Sequence, residues 1–229
     1  MFERYKRQTS LDGFGAEGQK RLLDSRLVLF GCGGVGSAVL PLLTGAGVGN
    51  ITVVDGDVVS ENNLHRQTLF SHTLCGARKA LIATEKMSAL NPDVKITAVC
   101  EFVRDCRRAA EIIADADIVI DATDNFASRH IVSEACASLD IFEIMSSAQG
   151  FFSQTILFGG GFRLADIVEN EGVGEGSLGM PIFGPSAHLS GVWGAGIAVG
   201  HLAGKASAVS GFFQCYDFST GKFNSGSLA

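Results

Sequence analysis

No C-x-x-C pair occurs among the six cysteines, which stand at 32, 75, 100, 106, 136 and 215. Structural zinc and small disulfide frameworks both need clustered spacing, so neither is expected. Reduced thiols in a cytoplasmic setting are the plain reading. His65, His72, His130, His188 and His201 show no H-x-x-x-H or His/Cys ligand spacing and read as surface or core histidines. The opening Met1-Phe2-Glu3-Arg4-Tyr5-Lys6-Arg7 lacks an apolar core and is no secretory signal. An excess of basic charge is also missing. Against 18 Lys and Arg stand 24 Asp and Glu, a net charge of −6, which argues against a nucleic-acid partner. Asp, Glu, Lys and Arg are absent from Gly176 to Gly204, a stretch long enough to span a bilayer. It carries Pro181, Pro185, His188, His201 and many glycines, so a buried core helix is expected and a membrane is not. Repeats and clean linkers are lacking too. The 229 residues, 46% hydrophobic, suit one large globular α/β domain with a well-buried core.

What is present begins at Leu27-Val28-Leu29-Phe30, a short apolar strand that empties into Gly31-Cys32-Gly33-Gly34-Val35-Gly36 and then a helix pattern. Gly31, Gly33 and Gly36 fit the G-x-G-x-x-G spacing. The first glycine permits a tight turn, the second lets backbone approach a phosphate, and the third lets helix pack on strand. A second strand, Ile51 to Val54, ends in Asp55, nineteen residues beyond Gly36, where a ribose-binding carboxylate belongs. Phosphate would sit at the helix N-terminus, where unpaired N–H groups and the dipole favour negative charge. Cys32, inside the turn, reads as a small packed residue.

Residues 1–26 read as an amphipathic, basic capping segment with a glycine break at 13–15. After Asp55, the polar run to Gln67 is too long for a plain βα connection, and such loops are usually functional. A helix from about Ala77 to Leu90 carries Lys79 near its start. A strand over Lys95–Val99, a helix over Cys106–Ala114 and a strand over Ile118–Ile120 follow. That strand runs into Asp121-Ala122-Thr123-Asp124-Asn125, which faces the same crevice as Gly33 and Asp55 if the sheet is doubly wound. A helix over Ala127–Leu139 and a strand over Ile141–Met145 complete a nucleotide-binding core. Gln154–Phe158 reads as a further strand and residues 165–179 as a mobile, acidic, glycine-rich loop. Gly196, Gly200 and Gly204 fall on one face of the charge-free helix for close packing. Phe212–Phe218 and Lys222–Asn224 form a hairpin across Ser219-Thr220-Gly221.

These residues together resemble the MoeB/ThiF/HesA family, relatives of the ubiquitin-activating enzymes. The likeness runs over nearly the whole chain. It rests on Arg4-Tyr5-Lys6-Arg7-Gln8, the glycine turn, Asp55-Gly56-Asp57, Asn63-Leu64-His65-Arg66-Gln67, Lys79 and Asp121-Ala122-Thr123-Asp124-Asn125, in order. The resemblance implies an α/β fold: a Rossmann-like, doubly wound, mostly parallel sheet with an antiparallel C-terminal extension, residues 1–229 forming a single adenylation domain. It implies a cytoplasmic homodimeric adenylyltransferase. With ATP and Mg²⁺, such an enzyme adenylates the C-terminal Gly-Gly carboxylate of a small ubiquitin-like sulfur carrier, for thiamine, molybdopterin or a related sulfur product. In that reading Gly33 and Gly34 pack on the phosphates and Asp55 holds the ribose, with Asp57 and Gln67 alongside. Asn63, Arg66 and Lys79 contact the phosphates. Asp124 positions Mg²⁺ with Asn125 nearby, and Arg7 reaches across the dimer to the partner's ATP.

The residue types fit that chemistry. A carboxylate attacking the α-phosphate is already a nucleophile and needs no general base; the obstacle is an anion approaching a polyanion. Catalysis then rests on in-line positioning and on cations. Most family members hold a structural zinc with two C-x-x-C pairs, which this chain lacks, so no zinc is expected. Many also carry a cysteine before the charge-free helix, where Ser177 stands here. Adenylation therefore has more support than a thioester step. Three other readings stay open: a carboxylate on a modified tRNA base or a peptide as acceptor, an NAD-dependent oxidoreductase, and an inactive scaffold. The last two leave Arg66, Lys79 and Asp124 without a role.

Overall fold

The computed structural model describes residues 3–168, 181–205 and 209–228. The apolar runs become strands of one eight-stranded sheet: β1 (Arg26–Phe30), β2 (Asn50–Val54), β3 (Lys95–Val99), β4 (Ile118–Asp121), β5 (Phe142–Gln149), β6 (Phe152–Phe158), β7 (Phe212–Asp217) and β8 (Lys222–Ser227). Their order across the sheet is β3-β2-β1-β4-β5-β6-β7-β8. The first five are parallel to their neighbours, and β6 to β8 are added antiparallel. This is the expected doubly wound sheet with an antiparallel extension.

Continuous apolar runs, rather than alternating ones, follow from burial on both faces. In β1, Leu27 and Leu29 enter a core shared with α3 (Gly34–Ala46), α4 (Lys79–Leu90) and α7 (Gly184–Leu202). Val28 and Phe30 point the other way, into a core with α5 (Cys106–Ile113) and α6 (Phe126–Ser138). A third cluster, Met145, Ile156, Phe158 and Leu164, seals the sheet where it turns antiparallel.

Connectivity creates the crevice. The chain builds outward from β1 to β3, then returns to lay β4 on the other side of β1, so neighbouring loops part at that switch point. Register makes their ends level: Phe30 lies opposite both Val54 and Asp121, and Val54 opposite Val99. The segments after Phe30, Val54, Val99 and Asp121 therefore leave the sheet side by side.

The amino-terminal segment is a turn of 3₁₀ helix at Glu3–Tyr5, α1 (Lys6–Thr9), and α2 (Gly15–Asp24) beyond the glycine break. Two expectations for the C-terminal half change. Close approach on α7 is made by Gly191 and Gly194 and not by Gly196, while Gly204 lies past the helix end against the Arg21 side chain. A Cβ on Gly191 would stand 2.6 Å from the Val35 carbonyl oxygen and one on Gly194 would strike Ser146 Oγ, whereas around Gly196 there is open space. The buried face runs through Ser186, Ala187, Ser190, Gly191, Gly194, Ala195 and Ala198, a helical spacing that leaves Gly196 outside. Of the supposed loop 165–179, the first residues continue a 3₁₀ turn at Leu164–Asp166 whose Leu164 is buried; the rest, with Ser177, lies outside the described residues. Among the described residues no helix is long and apolar enough to cross a membrane.

Candidate active site

Gly31 has φ +86°, and a Cβ there would stand 2.6 Å from the Ala122 carbonyl oxygen, so only glycine lets β1 turn under the β4 loop. Gly36 lies in the first turn of α3, where a Cβ would come within 2.5 Å of the Gly31 carbonyl oxygen. Between them, Gly33 caps α3 and Gly34 opens it. The first-turn N–H groups of a helix have no intrahelical acceptor, so here they face the crevice as an anion site.

Asp55 braces that turn. Its Oδ2 accepts from the Cys32 N–H at 2.8 Å and its Oδ1 from the Asp57 N–H at 2.8 Å, which ties the ends of β1 and β2 together. Cys32 is fully buried against it. Burial first, and then the Asp55 carboxylate, push this thiol well above its ordinary pKa, with the Lys79 charge acting the other way. A thiol so held is a packing residue and no nucleophile.

The cations come from the next loop and helix. Lys79 begins α4 with its side chain only 4% exposed, and its Nζ donates to Asp57 Oδ2 at 2.9 Å while the carboxylate stays 56% exposed. A lysine taken so far out of water needs that partner. Asn63 closes a 3₁₀ turn whose carbonyl accepts from the Arg66 and Gln67 N–H groups at 3.1 and 3.0 Å. His188 of α7 steadies the same turn: its Nε2 lies 2.9 Å from the Arg66 carbonyl oxygen and, since a carbonyl only accepts, must carry the hydrogen.

On the far wall, Asp124 is exposed just past β4 and Asn125 caps α6, its Oδ1 accepting from the Ser128 N–H at 2.8 Å. Arg129, one turn into α6, donates through Nε (3.3 Å) and Nη2 (2.9 Å) to the Thr123 carbonyl and so pins the loop that carries Asp124.

These groups surround a cleft of about 210 Å³. Gly33, Gly34, Asp55, Asp57, Arg66, Gln67, Lys79, Asp124 and Asn125 all line it, so nine of the residues expected from the sequence meet in one place. Asn63 does not line it; it shapes the turn that presents Arg66 and Gln67. Arg7 is exposed on α1 and also lies off the lining. Several lining residues were not foreseen. An apolar slot of Phe30, Val54, Val103, Ala122 and Val132 opens on the α6 side, with Glu101 and Phe102 beyond β3 and Ser147 to Gln149 at the end of β5. The level strand ends place all of these there, and Arg129 alone carried no signal beyond that of a helix-surface charge. Among the described residues, no group of three or more His, Cys, Asp or Glu is placed to hold a metal ion.

Comparison with known proteins identifies the family of the chain. The ThiF family model matches residues 5–225. The molybdopterin-synthase adenylyltransferase of Escherichia coli is 36% identical over 228 residues, covering 96% of this chain and 90% of its own. The sulfur carrier protein ThiS adenylyltransferase of the same organism is 37% identical over 156 residues, 68% of this chain and 62% of its own length. The sulfur carrier protein adenylyltransferase of Thermus thermophilus is 39% identical over 156 residues, covering 68% and 57%. The chain thus spans about three-fifths of two of these relatives and nearly all of the third. Among solved structures, that of E. coli MccB with ATP superposes with a TM-score of 0.86 at 20% identity, covering 99% of this chain and 72% of that one, a likeness of fold. Matched over nearly its whole length by that family model and by one adenylyltransferase relative, and over two-thirds by two more, the chain belongs to the ThiF family.

Proposed function

We propose that residues 1–229 act as one adenylation domain that uses MgATP to adenylate the C-terminal glycine carboxylate of a small ubiquitin-like sulfur carrier. The observation that carries this reading is one cleft in which a phosphate turn, the Arg66 and Lys79 cations and the exposed Asp124 carboxylate converge. The relatives' names supply the acceptor class: ThiS for one, molybdopterin synthase for another, and SAMP for an archaeal activating enzyme 41% identical over 136 residues.

The base fits the apolar slot between Phe30, Val54 and Val132, with Asp55 at the ribose and the triphosphate over Gly33, Gly34 and α3. Arg66 and Lys79 neutralise charge as the acceptor carboxylate attacks the α-phosphate and pyrophosphate departs. Their placement ahead of the reaction avoids reorganisation at the transition state. Asp57 already holds Lys79 in position, and Asp55 holds the turn. The Ser147 to Gln149 end of the cleft, beside Ala187, is left for the acceptor tail. Asp124 fits Mg²⁺, which takes one or two carboxylates plus substrate phosphates, and the ion would supply further charge neutralisation at the phosphates.

The test is carrier-dependent exchange of pyrophosphate into ATP, run with each small Gly-Gly protein encoded by the same genome. Exchange with one carrier names the pathway. Exchange driven by a tRNA or a short peptide instead moves the assignment to another acceptor, and calorimetry showing NAD bound far more tightly than ATP removes it.

A further inference from the structure

Two carboxyls that the proposed reaction does not use lie beneath α6. Val119, on the α6 face of β4, pairs with Glu143 of β5, and Asp121 lies two residues beyond Val119, so both acids turn to that face on adjoining strands. Asp121 is 0% exposed and Glu143 1%. Asp121 Oδ1 accepts from the Thr123 N–H at 2.8 Å, but its Oδ2 and both Glu143 oxygens have no hydrogen-bond partner among the described residues. The Ser133 hydroxyl accepts from the Leu164 N–H and keeps its own hydrogen to turn toward Glu143. A cavity of about 10 Å³, lined by Ser133, Cys136 and Glu143, has room for about one water molecule.

Two buried acids on adjoining strands are costly while both are ionised, which favours a neutral form for one of them. Burial raises both carboxyls above their usual range, Glu143 the further because the Asp121 carboxylate adds to the effect. Arg129 opposes the rise in each, and the Ser133 hydroxyl does so at Glu143. Burial, with Glu143 and Asp121 behind it, also keeps the Cys136 thiol neutral. The remaining charges nearby are accounted for: Glu134 of α6 pairs with Arg163 at 2.7 Å, and Asp140 stands at the cavity rim. Arg129 is therefore the cation whose charge reaches both buried acids, and the same guanidinium clamps the Thr123 carbonyl.

We propose that Glu143, buried under α6 on the strand beside Asp121, is a positioning residue for Asp124: uncharged, it leaves Arg129 on the Thr123 carbonyl, and ionised, it draws the guanidinium inward and frees the loop. The proton lost goes to bulk water, and no bond other than O–H is broken. This rests on the reading of Asp124 as the residue that positions the nucleotide's metal. Burial disfavours the charged form of the Glu143 carboxyl, so its ionisation is displaced upward in pH. Loosening is therefore expected at alkaline pH.

The test compares the full chain with Glu143→Gln, which keeps the shape without the charge, and Glu143→Leu, which removes the polar group. Calorimetric titration with MgATP is run from neutral to alkaline pH, the direction in which burial displaces the Glu143 carboxyl. Amide-exchange protection at Thr123, Asp124 and Asn125 is measured over the same range without nucleotide. The wild type should lose about tenfold in MgATP affinity, the worth of one charge-assisted hydrogen bond, and lose loop protection in step. Both variants should match the wild type at neutral pH and stay flat above it. Folding stability has the same sign. A carboxyl raised in the folded state gives most stability below its unfolded pKa and loses it as pH rises to the folded value, so either variant removes that slope. Parallel pH profiles in wild type and Glu143→Gln overturn the proposal. If MgATP does not bind at all, the site assignment fails, and the loop protection still decides the role of Glu143.

Discussion

Within the cleft, separate residues serve phosphate binding and backbone geometry, and substitutions should separate them. Asp124 and Arg66 sit on strand-end loops rather than in a core, so Asp124→Ala and Arg66→Ala should leave thermal unfolding almost unchanged. Each removes one preorganised charge from the proposed adenylyl transfer, and carrier-dependent pyrophosphate exchange should fall about 10²–10³-fold. Full exchange activity in both variants would show that the phosphate site lies elsewhere. Gly31→Ala tests geometry instead. The new Cβ meets the Ala122 carbonyl oxygen at 2.6 Å with φ at +86°, so urea unfolding should show a loss of at least about 1–3 kcal/mol. Lys79 belongs to both groups, since its buried ammonium leans on Asp57. Asp57→Ala should therefore strand a charge and weaken ATP binding through Lys79, whereas Asp57→Glu should recover part of the loss.

Helices and strands were legible in proportion to how local their causes are. Strand β3 matched over Lys95–Val99 because an apolar pattern and a closing turn sit within the segment itself. The apolar pattern predicts that β5 ends at Met145, yet the strand runs to Gln149. The polar Ser146 and Ser147 are strand only because β6 offers Thr155 and Gln154 across from them, a partner no local pattern reveals. The glycine turn and Asp55 are legible from spacing, whereas Arg66, Lys79 and Asp124 are singled out only by the family resemblance; all of them line the cleft. Glu143 and Arg129 were missed because their roles depend on which face of β5 and α6 turns inward. Asn125 illustrates an element acting on the site: its side chain is the N-cap of α6 and holds the helix that carries Arg129. Asn125→Ala should cost about 1 kcal/mol in denaturant unfolding, and Asn125→Asp, which caps equally well, should not.

At the scale of the whole molecule, the cleft has the polar groups for ATP, with Arg66, Lys79 and Arg129 as its cations, and Arg7 stands exposed on α1, off the cleft lining. The outer side of α7 leaves Val192 47% exposed, with Trp193 edge-on to a 55% exposed Phe223 of β8, an apolar face that water does not favour. We propose that a second copy covers it and that Arg7 completes the partner's site. Val192→Asp would place a charge in that contact and should shift light scattering from dimer to monomer, with loss of exchange activity. The role of Arg7 is tested separately by mixing two inactive variants. A dimer of Arg7→Ala with Asp124→Ala contains one site with both residues intact and one with neither. Random reassortment of a two-fold dimer makes half the dimers mixed, so about a quarter of wild-type activity per site should return. If Arg7 acts within its own chain, the mixture stays as inactive as its parents, and if Arg7 has no role, Arg7→Ala alone retains exchange activity.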